Sequence, residues 1–137
     1  MIYLLDTNTC IQYLNGRSTT IKQRLHDTLP SQIKLCAVVK AELFYGVMKS
    51  ARVDRNLATL QEFVNRFESL PFDDSAAESY ARIRLHLERA GTPIGPNDLL
   101  IASTAVTYGT VLVTHNTREF RRVPDLNYED WETSVPG

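Results

Sequence analysis

Ile2-Tyr3-Leu4-Leu5-Asp6-Thr7-Asn8 is the stretch that decides the fold. Four consecutive apolar residues, too few for a helix, suit a strand buried on both faces. Asp6, Thr7 and Asn8 follow at once, and short polar side chains of this kind accept from the free N–H groups at a helix start. A helix is therefore predicted through Leu14, stopping near Gly16. A buried strand feeding directly into a helix is the repeating unit of α/β proteins.

The unit recurs along the chain. Residues 17–29 carry Ile21, Leu25 and Leu29 at helical spacing and run into Pro30. Residues 33–38 read as a second strand, 40–50 as a helix, and 52–68 as a stronger helix in which Leu57, Leu60, Phe63, Val64 and Phe67 recur at steps of three and four. Residues 70–72 are a brief extended piece, and Pro71 suits a sheet edge. Asp73-Asp74-Ser75 caps a helix to Ala90, closed by Gly91. A Gly/Pro loop spans 92–97, a helix 98–108 ends at Gly109, and 110–114 is a third clear strand. Residues 116–122 form a short helix and 126–128 a last strand. Short strands alternating with longer helices predict an α/β layer fold with a mostly parallel sheet.

The 137 residues fit one domain, 1–137, with 43% hydrophobic and 23% charged side chains. The formal net charge of -1 excludes a uniformly basic protein that coats nucleic acid, but not a basic surround beside an acidic site. The charge is graded: residues 1–50 carry six basic and three acidic side chains, residues 91–137 three basic and six acidic. Cys10 and Cys36 make no CxxC pair and read as buried free thiols of a cytoplasmic protein. His26, His86 and His115 are scattered, so no zinc site is expected. Apolar runs are too short to span a membrane, and the structured start argues against a signal peptide.

In parallel sheets ligands bind outside the carboxyl ends of the strands. Asp6 follows the first strand, Glu42 lies four residues after the second in the first turn of the next helix, Asp98 opens a helix, and Glu119 follows the third strand. Thr7, Asn8, Asn97, Thr114 and Asn116 share that end. Singly, each acid has an ordinary explanation: a helix cap for Asp6, favourable helix-terminus charges for Glu42 and Asp98, a solvated charge for Glu119. Together, unpaired carboxylates in one cleft repel and call for a cation. Hard oxygen ligands suit Mg²⁺ or Mn²⁺, which activate water and stabilise charge on a phosphodiester.

Four ordered blocks then carry a resemblance: Leu4-Leu5-Asp6-Thr7-Asn8, Ala41-Glu42-Leu43-Phe44-Tyr45-Gly46, the stretch from Thr92 to Ala102 around Pro96-Asn97-Asp98, and Leu112-Val113-Thr114-His115-Asn116-Thr117-Arg118-Glu119-Phe120. The chain resembles PIN-domain ribonucleases, specifically the VapC toxins of bacterial VapBC toxin–antitoxin pairs. The resemblance covers essentially the whole chain. It implies a three-layer α/β/α sandwich with a short, mostly parallel central sheet flanked by helices. It implies Mg²⁺-dependent endonucleolytic cleavage of RNA, with Mn²⁺ as a substitute, leaving 5′-phosphate and 3′-hydroxyl ends. Asp6, Glu42 and Asp98 match the family's three principal acids. Many relatives place an aspartate where this chain has Asn116, and Glu119 supplies that charge. Asp6 and Asp98 are then the first choices for metal ligands, with Glu42 binding or orienting, Glu119 acting from farther out, and Thr7, Asn8, Thr114 and Asn116 in support.

The resemblance also implies a homodimer, a VapB-like antitoxin docked near residues 43–48 and 57–64 with a segment reaching the acids, and a higher hetero-oligomer with it. A tRNA substrate is implied, the initiator tRNA anticodon loop being the first choice. Candidate phosphate contacts are Arg17, Lys22, Arg24, Lys40, Lys49 and Arg118, while Phe44-Tyr45 reads as core and interface. Other phosphate chemistries fit less well. A receiver domain needs a lysine near Thr114-His115-Asn116, a DxD phosphatase needs Asp at Asn8, and neither GxxxxGK nor GxGxxG occurs. The remaining alternative is a catalytically silent PIN-like module that binds RNA or protein.

Overall fold

A computed structural model describes residues 1–133. Five short strands form one sheet: β1 (Tyr3–Leu5), β2 (Ile33–Cys36), β3 (Glu68–Leu70), β4 (Val111–Val113) and β5 (Asn127–Glu129). Between them run α1 (Thr7–Leu14), α2 (Thr19–Asp27), α3 (Ala37–Met48), α4 (Val53–Val64), α5 (Asp74–Arg89), α6 (Pro96–Tyr108) and the short α7 (Thr117–Phe120). The sheet order is β3-β2-β1-β4-β5, and all four pairings are parallel. Parallel strands require crossovers, which the helices supply, and helices on both faces bury the sheet. This is the expected three-layer α/β/α arrangement.

The strand order places the site. From β1 the chain adds β2 and then β3 on one side, then returns across the sheet to add β4 and β5 on the other. The order reverses between β1 and β4, where adjacent connections diverge and leave a crevice at the strands' carboxyl ends. Leu4, Leu5, Leu35, Leu112 and Val113 are at most 1% exposed, so the central strands sit in the core. Each such side chain contributes about 1.5–3 kcal/mol. That rigid floor sets the positions of Asp6 and Thr114, which follow it immediately.

Helix ends follow local chemistry. The Asp6 carboxylate accepts from the Thr9 N–H at 2.8 Å, Ser18 caps α2, and Asp73 accepts from the Ala76 N–H at 3.0 Å. Gly109, at φ 64°, closes α6 in the left-handed conformation that glycine adopts without strain.

Several boundaries differ from the sequence reading. The second strand ends at Cys36, and α3 begins at Ala37 with no side-chain cap, so Glu42 lies in the second turn of its helix rather than the first. The helix predicted over 52–68 ends at Val64, although Phe67 is buried beyond it. The extended piece near Pro71 is an edge strand, but it pairs over Glu68–Leu70, with Lys34 opposite Glu68 and their side chains 3.0 Å apart. Helix α6 starts at Pro96, whose missing N–H suits a first helical position, so Asp98 lies within its first turn.

Candidate active site

Asp6 leaves β1 at the switch point, and its N–H donates to the Val113 carbonyl of β4 at 3.0 Å. The side chain is buried, and Thr9 fastens the same corner by donating its hydroxyl to Val113 O at 3.2 Å. Burial pushes the Asp6 carboxyl above its ordinary range; hydrogen bonds from Thr114 and Thr9 oppose the shift, and the Glu42 charge adds to it. Asp6 is thus both a helix cap and a buried acid, two roles the sequence left as alternatives.

Glu42 joins three helices. Its Oε1 accepts the Thr7 hydroxyl at 2.5 Å and its Oε2 accepts the Asn97 amide at 3.2 Å. These contacts fix a carboxylate that its own helix would leave free to rotate. Asp98 stands one residue beyond Asn97, half-buried, and its pKa is pushed up to about 7. Burial is the largest cause, followed by the charge and hydrogen bond of Glu119 and then by Asp6 and Glu42. Glu119 is also partly buried, yet its pKa falls, because it accepts the Gly95 N–H at 2.7 Å and the Asn116 amide at 2.6 Å, with Asp98 and Arg122 contributing further. The two shifts run in opposite directions, so the pair favours a proton on Asp98 over one on Glu119. Asn116 points its amide at Glu119, and its backbone N–H donates to the Thr114 hydroxyl at 3.0 Å.

All four predicted acids lie at one end of the sheet, where Asp98 is hydrogen-bonded to Glu119 and feels the charges of Asp6 and Glu42, though no three of the four bring carboxylate oxygens within 4.8 Å of one another. Among the described residues, no lysine or arginine forms an ion pair with Asp6, Glu42, Asp98 or Glu119. Four carboxylates with two raised pKa values and no paired protein cation fit a hard divalent ion of the Mg²⁺ or Mn²⁺ class. Thr7, Thr114 and Asn116 support the acids by hydrogen bonds, whereas Asn8 is exposed on the rim. Asn97 and Gly95 complete the network, and local sequence patterns gave neither a role in holding an acid.

Of the candidate phosphate contacts, Arg24 is otherwise engaged: it pairs with Glu129 at 2.9 Å and lies 5.0 Å from the Trp131 ring. The sequence also hid a histidine cluster. His115 Nδ1 lies 2.9 Å from Asp130 and 3.1 Å from Glu132, clasping the segment that buries Trp131. The Asp130 hydrogen bond raises the His115 pKa, partial burial opposes it, and Glu132 adds to it. A histidine raised on folding stabilises the fold below its unfolded pKa of about 6.5, and the gain disappears as pH climbs through the raised value. The group is largely exposed, so the effect should be about 1 kcal/mol or less. His115→Gln should lower the melting temperature at pH 6 and match the parent at pH 9; equal melting at both would show that the clasp carries no load.

Fold and site define a class: an α/β protein that gathers carboxylates for a divalent cation at the switch point of a parallel sheet. The family model described as "PIN domain" matches residues 3–126. The tRNA(fMet)-specific endonuclease VapC of Salmonella typhimurium is 41% identical over 129 residues, covering 94% of this chain and 97% of that protein. Ribonuclease VapC2 of Rickettsia felis is 39% identical over 133 residues, covering 96% and 99%. Among solved structures, DNA-bound VapBC from Salmonella typhimurium superposes with a TM-score of 0.90 at 40% identity, covering 96% of this chain and 98% of that one. VapBC2 from Rickettsia felis, bound to a fragment of its promoter, gives 0.87 at 38% identity, covering 96% and 99%. The chain belongs to the PIN-domain family and, within it, to the VapC ribonucleases.

Proposed function

We propose that this chain, a single domain, is a Mg²⁺-dependent endoribonuclease, the toxin of a type II toxin–antitoxin pair, acting on tRNA and first on the initiator tRNA anticodon loop. The observation that carries the reading is the convergence of Asp6, Glu42, Asp98 and Glu119 with no ion-paired lysine or arginine among them in the described residues. Asp6 and Asp98 hold the metal directly, Glu42 binds or orients it, and Glu119 acts from outside. When bound, Mg²⁺ supplies a water of lowered pKa and neutralises charge on the phosphodiester. Thr7 and Asn97 keep the Glu42 carboxylate in place, and Gly95 and Asn116 keep that of Glu119. Asp98 would have to be ionised to hold the ion, and Asp6 would offer its carboxylate from the buried floor of the site. Water is then the nucleophile, the 3′ oxygen leaves, and the ribose hydroxyl takes no part.

The names of the relatives support this choice of substrate class and partner. A VapB-like antitoxin fits the cleft of about 320 Å³ lined by Ile11, Leu14, Leu43, Gly46, Val47 and Leu60, which reaches Glu42 at one end. No helix among the described residues is long and apolar enough to cross a membrane. Purified protein incubated with total tRNA and Mg²⁺ should give discrete fragments with 5′-phosphate and 3′-hydroxyl ends, and none with Asp6→Asn. A 2′,3′-cyclic phosphate on the products would overturn the mechanism, and intact RNA under all conditions would overturn the activity.

A further inference from the structure

Tyr45 stands beside the acids without serving fold or chemistry. It is 67% exposed, whereas its neighbour Phe44 packs against the core. It follows Glu42 by three residues on α3, so the two side chains are neighbours on one helix face. Lys49 lies four residues further along, in the capping position just after the helix, with its Nζ 4.8 Å from the centre of the Tyr45 ring. Carboxylate, aromatic ring and ammonium thus follow one another at i, i+3 and i+7 over roughly 10 Å of helix. A cleft of about 610 Å³ runs past all three, with Thr7 and Asn97 at the acidic end. The space beside Gly46 is open: a Cβ there would meet nothing within 4 Å.

We propose that Tyr45 stacks on a nucleobase next to the scissile phosphate and that Lys49 neutralises a phosphate further along, making this face of α3 the track for single-stranded RNA. The inference rests on the ribonuclease reading. Two features favour RNA over a protein partner here. Glu42 lines the cleft, so a phosphodiester held beside that carboxylate lays its flanking nucleoside nearby. An aromatic face beside a cation matches the alternation of base and phosphate in a single strand.

The test measures binding and turnover separately. Anisotropy of a labelled anticodon stem-loop RNA, read in the uncleaving Asp98→Asn background, gives Kd; steady-state cleavage in the parent background gives KM and kcat. Tyr45→Ala should raise Kd and KM roughly tenfold with kcat little changed, because stacking holds the strand without touching the reacting atoms. Tyr45→Phe and Tyr45→Trp should restore both. Lys49→Gln should weaken binding and reduce the slope of log Kd against log salt by about 0.7. Exposed as it is, Tyr45 should leave the melting temperature unchanged on substitution. Tyr45→Ala that binds and cleaves like the parent, or that weakens only self-association or VapB binding, overturns the track while leaving the ribonuclease reading in place. A parent protein that cleaves no RNA while the Tyr45 contrast in Kd persists does the reverse.

Discussion

Asp98→Asn should remove RNA cleavage by about 10²–10³-fold or more and yet raise the melting temperature of the metal-free protein at pH 8. Both effects come from one cause. The Asp98 carboxyl is raised to about 7 by burial and by the charges of Glu119, Asp6 and Glu42. In the unfolded chain it would ionise near 4. An acid raised on folding keeps its proton longer in the folded state, so stability is greatest below the unfolded pKa, declines between about pH 4 and 7, and is level above that. Asparagine has no charge to develop, and its amide can donate toward Glu119 much as the protonated acid does. The variant's advantage in EDTA should therefore grow from pH 4 to 7 and then hold. Added Mg²⁺ should stabilise the parent more than the variant, narrowing or reversing the order. Melts at pH 5, 6.5 and 8, with EDTA and with Mg²⁺, check this. A variant that melts below the parent in EDTA at pH 8 would show that the protein alone satisfies the Asp98 charge.

Local patterns were legible in the sequence, and contacts between distant segments were not. Asp6 was readable because a strand ending in a cap residue is a local pattern, and its two roles use the same backbone corner. Glu42 was placed at the right end of the sheet but in the wrong turn: Ala37 and Val38 continue an apolar run, and Cys36 offers no side-chain cap to mark the start of α3. Phe67 extended the period of α4 because a buried residue leading into a strand satisfies the same spacing as one on a helix face. The fourth acid could not be settled from a motif. In the structure Glu119 is held by the Gly95 N–H, 24 residues away, and by the Asn116 amide, three residues away, and it lies beside Asp98. His115 met Asp130 and Glu132 across 15 and 17 residues, a separation with no period to read. The strand order, and so the switch point that collects the acids, likewise follows from packing across the whole sheet.

The proton on Asp98 also fixes how the site should take up its metal. A divalent ion binds the ionised carboxylates, so it must displace that proton, and its affinity should fall as pH drops through the Asp98 pKa of about 7. Below that value the association constant should change roughly tenfold per pH unit, and above it the curve should flatten. The raised Asp6 pKa would steepen the low-pH limb further. Mn²⁺ titrations followed by calorimetry in two buffers of different ionisation heat count the protons directly: about one released at pH 6 and close to none at pH 8.5. Glu119→Gln removes the charge that contributes most to the shift after burial, so its break should move to lower pH while the slope survives. Asp98→Asn should bind weakly and lose the slope near neutrality. An affinity unchanged between pH 5.5 and 8 would mean that the ion does not contact Asp98, and the site would have to be rebuilt around Asp6 and Glu42 alone.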